Sequence, residues 1–234
     1  MVTGRDEEGQ SVKRLFSLLI AVTTVTAACS SNNSPTAASR TPESPMGSPA
    51  VARPTPLPKS GVISPGTYVT NFHPKMAFTA ASSGWEVDVD TPGWVAMEFT
   101  PSAPVLGFLG ITDVTKVFDP KHDGKLIDPP KDFAGWIGEL PGLKVVAPPT
   151  PVTVGGVEGK QLDVLIGPED VGVGPIQGAR IGNGFPKNHA VRIIVVSVDG
   201  QDVQISFDAE DAGSKYFGAA VDHVQPLIDS ITWG

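Results

Sequence analysis

Cysteine occurs once in 234 residues, so the chain can close no internal disulfide and build no multi-thiolate metal site. Basic residues are the next scarcity, with 17 Lys and Arg against 25 Asp and Glu and a formal charge of −8. Phosphate-backbone binding needs clustered Lys and Arg, and this balance argues against a nucleic-acid partner. Counted from Gly61 onward, acids outnumber bases 21 to 11, so an anionic lipid surface would repel this part of the chain. Aromatic residues are sparse, at 7%. What is plentiful is Gly (26) and Pro (23), a usage that implies many turns and is hostile to long helical bundles.

The amino terminus carries an address. Lys13 and Arg14 precede fourteen uncharged residues, 15–28, that begin Leu-Phe-Ser-Leu-Leu-Ile-Ala-Val. This is the layout of an export signal, and it is shorter than the roughly 20 apolar residues that a transmembrane helix needs. Ala27 and Ala28 then stand directly before Cys29, the single cysteine. On these residues the segment resembles the precursor of a bacterial lipoprotein, although Thr26 stands where such motifs usually carry an aliphatic residue. The resemblance implies that the Cys29 sulfur receives a diacylglyceryl group and that Cys29 becomes the new amino terminus. Two acyl chains anchor a protein stably where one does not.

Residues 30–60 are dominated by Ser, Pro, Thr, Ala and Asn, with seven prolines and no aromatic. Such a segment cannot bury enough surface to offset the entropy of ordering and reads as a disordered tether. The expected organisation is a signal peptide over 1–28, a lipidated cysteine and tether over 29–60, and a globular domain over 61–234.

Alternation of apolar and polar residues predicts strands over much of that domain. Residues 85–90 place Trp85, Val87 and Val89 on one face and Glu86, Asp88 and Asp90 on the other, and Pro92-Gly93 turns the chain back into residues 94–99. Residues 189–198 and 201–207 flank Asp199-Gly200, a pair suited to a type I′ hairpin. Short strands are also expected over 143–147 and 152–154, and a long Gly-rich loop over 167–188. Helices are predicted over 131–140 and 214–231, the second kinked or split in two by Pro226.

Together these elements predict an α+β fold, an antiparallel β-sheet covered by helices. The order of elements, with Phe78, Gly84-Trp85, the 152–156 turn segment and the final Leu227-Ile228-Asp229-Ser230-Ile231, resembles the PsbP-like fold found in a group of mycobacterial cell-envelope lipoproteins. That resemblance implies a binding or assembly-supporting role.

Catalytic signatures are scarce. Gly-x-Ser-x-Gly does not occur, and His73, His122, His189 and His223 are far apart in sequence, so neither a nucleophile–base pair nor a zinc motif is legible. Residues 119–130 mimic calcium-loop spacing, but Lys121 and Pro130 occupy the third and twelfth positions. No metal or cofactor is expected. Asp208, Glu210 and Asp211 lie just ahead of the last helix, where acids favour a helix start. Arg180, Lys187 and Arg192 are the one local basic group, and they are the expected contact point for an anionic ligand. The sequence thus reads as a lipid-anchored, extracytoplasmic, non-enzymatic binding module of the cell envelope. Its expected partners are the membrane through Cys29 and an envelope protein or small ligand. A small-molecule or lipid carrier and an envelope hydrolase are the alternatives.

Overall fold

The structure is a computed structural model and describes residues 53–102, 105–122, 124–175, 182–209 and 216–234. The export segment, Cys29, tether residues 30–52 and Arg180 lie outside the described residues.

The chain opens with β1 (Thr55–Pro56), β2 (Gly61–Ile63), β3 (Gly66–Val69) and β4 (Met76–Ala80), followed by β5 (Trp85–Thr91), β6 (Trp94–Ser102) and β7 (Val105–Asp113). Two short strands, β8 (Val117–Asp119) and β9 (Lys125–Ile127), lead to α1 (Phe133–Gly138). Then come β10 (Leu143–Val154), β11 (Val157–Ile166), β12 (Val171–Pro175), β13 (Gly182–Phe185), β14 (Ala190–Val198) and β15 (Gln201–Ala209). The final elements are α2 (Phe217–Asp229) and β16 (Thr232–Trp233).

Eight strands form one antiparallel sheet in the order β10-β11-β14-β15-β7-β6-β5-β2, and β1-β3-β4-β16 form a second, smaller sheet. The expected hairpins are present: Thr91 faces Trp94 across the first turn, and Val198 faces Gln201 across the second. In the latter turn Asp199 (φ 53°) and Gly200 (φ 83°) both take positive φ, as a type I′ turn requires.

The large sheet is buried on both faces, so strand β14 is hydrophobic nearly throughout. On the first face Val87, Met97, Leu109, Ile111, Ile194, Val196, Ile205 and Phe207 join Phe72, Phe78 and the Val224, Leu227 and Ile228 stripe of α2 in one core. On the second face Leu162, Val164, Ile193 and Val195 pack with Phe133 and Ile137 of α1 and with Val171, Val173 and Phe185 of the β12–β13 hairpin.

This arrangement overturns the expected α+β, PsbP-like architecture of a sheet covered by helices. Among the described residues the fold is β-rich, with sixteen strands and two helices, and the sheet's faces are covered as much by strands as by helices. One physical reason is the 167–188 segment. Gly172 pairs with Gly184 and Val171 with Phe185, so the stretch expected as a loop is a hairpin whose valines and phenylalanine seal the second core. Another is β10, a single bulged strand of twelve residues where two short ones were expected. The folded region also begins ahead of Gly61: Leu57 is 4% exposed and its N–H donates to the Val69 carbonyl at 2.8 Å.

Asp90 corrects a second expectation. A register shift between Val87 and Val89 breaks the alternation of β5, because a bulge inserts one extra residue and turns the following side chains over. Asp90 is therefore buried at 6% exposure, and its carboxylate accepts from the Asn71 backbone N–H at 2.9 Å and from Asn71 Nδ2 at 2.9 Å. Burial raises its carboxyl above the ordinary value, partly offset by these hydrogen bonds. Pro226 lies within one continuous helix rather than splitting it.

His223, on α2, packs its ring 5.0 Å from that of Trp85 and 5.4 Å from that of Phe99, and its Nε2 has no hydrogen-bond partner. Burial lowers its pKa, so the fold prefers the neutral ring. Its contribution to stability is present above the ordinary pKa of about 6.5 and is lost as pH falls through that value toward the folded one. Asp88, Asp90, Asp113 and Asp202, all raised by burial, act in the opposite sense and lose stability as pH rises through their folded values. Urea midpoints of the native chain are therefore expected to fall more steeply between pH 8 and 5.5 than those of His223→Phe. Parallel slopes would show that the ring is not held neutral.

Candidate functional site

The second face of the large sheet is sealed by α1 and the β12–β13 hairpin over β11 and β14, and over β15, β7 and β6 it forms the floor of a cleft. Registry builds that floor in rows. Asp208 lies opposite Phe108, which lies opposite Glu98; Ser206 lies opposite Gly110, which lies opposite Ala96; Gln204 lies opposite Thr112, which lies opposite Trp94. The middle row is made of small residues, so it forms a trough between rows that carry Phe108 and Trp94. A Cβ built on Gly110 would stand 3.2 Å from Phe108 Cε1, 3.7 Å from Ser206 Oγ and 3.9 Å from Trp94 Nε1. These three side chains thus converge above the glycine. Asn183, Gly184, Phe185 and Pro186 of the β13 hairpin form one wall, and Asp88 and Trp94 line it as well, enclosing about 290 Å³.

Polar groups line this cleft in an unusual state. Asp208 is 5% exposed; its Oδ2 lies 2.6 Å from His189 Nδ1, while its Oδ1 has no hydrogen-bond partner. Behind the lining, fully buried Gln204 donates from Nε2 to the wall residue Asn183 at Oδ1, 3.4 Å away, and leaves Oε1 without a partner among the described residues. Buried polar atoms in native folds are almost always hydrogen-bonded, so an unpartnered carboxylate oxygen at the wall of a cleft is placed to accept from a ligand. Asp88, at the rim, has its carboxyl raised first by burial and then by the nearby Glu86 charge.

A larger groove of about 1010 Å³ lies at one end of the sheet, where residues 91–93 and 200–202 come together with His73, Asp113, Thr115 and Pro129. Trp94 lines both concavities. Asp113 is 4% exposed with Oδ1 unpartnered, and burial raises its carboxyl against the opposing effect of a hydrogen bond from Gln201. Among the described residues no group of three or more His, Cys, Asp or Glu side chains is placed to hold a metal ion.

Of the basic trio expected from sequence, Lys187 and Arg192 are described, and neither lines these two concavities. Arg192 is engaged by Asp163 in a two-pronged ion pair, Nε to Oδ1 at 2.8 Å and Nη2 to Oδ2 at 2.9 Å. Its guanidinium stands 6.0 Å from the Phe207 ring and 5.9 Å from that of Phe217. Phe207, its cross-strand partner, belongs to the first core, so Arg192 projects from the face opposite the cleft. Lys187 is exposed beyond β13, with its backbone N–H donating to Asp170 Oδ1 at 2.8 Å. Arg180 and Cys29 lie outside the described residues. Sequence reading missed the cleft because its floor draws on three strands; Gly110, a small residue within the apolar run of β7, was the one local trace of it.

No family model matches the chain, and no curated protein matches it. Among solved structures, a 1.50 Å crystal structure from Bacteroides thetaiotaomicron VPI-5482 aligns with 9% identity and a TM-score of 0.35, covering 68% of this chain. The chain spans 45% of the length of that protein. LpqN of Mycobacterium tuberculosis, a protein involved in cell envelope biogenesis, aligns with 14% identity and a TM-score of 0.36 over 74% of this chain and 89% of its own.

Proposed function

We infer that the protein is an extracytoplasmic binding module, anchored to the membrane through a lipidated Cys29, whose ligand site is the cleft over β15, β7 and β6. The observation that carries the binding role is Asp208, a nearly buried carboxylate whose Oδ1 has no partner among the described residues. Small-ligand sites are typically concave and mostly apolar, with a few placed polar groups, and Trp94, Phe108 and Phe185 around Asp208 and Asn183 fit that description. The address is supported by Lys13-Arg14, the apolar run and the Ala27-Ala28-Cys29 junction. An anionic ligand at Arg180, Lys187 and Arg192 is a second reading; Asp163 already neutralises Arg192, and the case for it rests on the other two.

The anchor is tested by intact mass and cell fractionation. The native chain is expected to begin at a diacylated Cys29 and to sediment with membranes, whereas Cys29→Ala is expected to lose both the added mass and the retention. An unmodified mature chain, or equal retention of the variant, overturns the anchor.

A further inference from the structure

Resting on the cleft assigned above, we propose that its ligand carries a protonated amine, seated in the trough between Phe108 and Trp94 with its ammonium donating to Asp208. Charge argues for this first. The cleft is lined by two carboxylates, Asp88 and Asp208, and by no Lys, Arg or His. Glu98 and Glu86 continue the row of Asp208 and Phe108 across the sheet, so acids flank the Phe108 ring on both sides. An anion would meet like charge at Asp88 and Asp208, and His189 engages only Oδ2 of Asp208, which leaves Oδ1 open to a donor on the ligand.

Hydrogen bonding argues for it independently. The unpartnered atom of the lining, Asp208 Oδ1, is an acceptor, so the missing group is a donor, and an ammonium offers three. A donor that is also a cation makes the stronger, charge-assisted bond to a carboxylate. The aromatic walls complete the match, because a cation is attracted to the faces of Trp and Phe and its alkyl stem packs against them. Size limits the ligand to a small molecule or a single projecting side chain, given a cleft of about 290 Å³.

The experiment uses three probes of one shape and different charge, n-butylammonium, 1-butanol and butyrate, titrated at pH 7 into the full-length chain in detergent. The readout is the Trp94 indole N–H resonance in two-dimensional NMR, assigned through Trp94→Phe. Saturable shifts are expected with n-butylammonium, about tenfold weaker or absent with the alcohol and the carboxylate. Loss of a charged hydrogen bond is expected to weaken n-butylammonium by about tenfold or more in Asp208→Asn. Should that variant misfold, Asp88→Asn carries the test, since Asp88 is exposed; about a threefold loss is expected there from removing a charge at the rim.

Equal binding of butanol and n-butylammonium, or binding unchanged in both variants, overturns the ammonium proposal. If butanol binds and Gly110→Val abolishes it, the cleft remains the site and only the ligand class falls. If none of the probes binds the native chain, the ammonium proposal falls; if butanol or n-butylammonium binds and Gly110→Val leaves that binding unchanged, the cleft falls with it.

Discussion

Trp85→Ala is expected to destabilise the folded region by about 4 kcal/mol, read as a lowered urea midpoint at pH 8. Trp85 is 1% exposed and lies in a β5 position flanked in register by Ile63 of β2 and Phe99 of β6. Its ring stands 5.3 Å from that of Phe99 and 5.0 Å from that of His223, so it fills the space between the sheet and α2. Truncation removes the apolar transfer energy and leaves a cavity whose walls are a sheet on one side and a helix on the other, neither free to close it. The same change opens a path for water to His223 Nε2. The variant should therefore lose both stability and much of the acid sensitivity that His223 imposes, and the two effects are not additive with His223→Phe because the rings are in contact. A loss under about 1 kcal/mol would show that α2 settles into the gap and that the rings are not the wedge described.

Gly159→Ala is expected to cost about 3 kcal/mol by overpacking, although it adds a single methyl group. Gly159 lies opposite Val196 in the β11–β14 ladder. A Cβ there would stand 2.3 Å from the Val195 carbonyl oxygen and 2.6 Å from Val196 Cγ1. A flexible side chain can give way to such a contact, but a backbone carbonyl inside an eight-stranded sheet moves only if the ladder moves. The neighbouring Glu158→Ala, at an exposed position, serves as the control and is expected to stay within about 0.5 kcal/mol. Thermal unfolding of the two variants side by side decides the matter; equal midpoints would mean that β11 and β14 separate at no cost.

Those two positions show what the sequence can and cannot disclose. Trp85 was legible as a core residue, because the alternation of residues 85–89 is local and the hairpin turns that frame it have local chemistry. Gly159 drew no reading of its own, since its constraint comes from Val195 and Val196, more than thirty-five residues away. Asp90 was misread because a bulge leaves no mark in the pattern of apolar residues; the reason for its burial is Asn71, nineteen residues earlier. The Gly-rich 167–188 segment looked like a loop because strand propensity was missing, and it became a hairpin because Val171, Val173 and Phe185 had a second core to seal. The cleft was illegible for a related reason. Its rows are written across β15, β7 and β6, and no window along the chain contains Asp208, Phe108 and Trp94 together.

The outer strand β10 carries Pro148, Pro149 and Pro151 beside the exposed Val145 and Val146, and the opposite border of the sheet, β2, is three residues long. Proline has no N–H to offer a neighbour, and a short border gives little to zip against. A chain tethered by lipid, as proposed, would be confined to a plane and crowded with copies of itself, the condition in which open sheet borders nucleate fibrils. Its two borders are built to refuse that contact, so crowding concentrates binding sites without seeding aggregation.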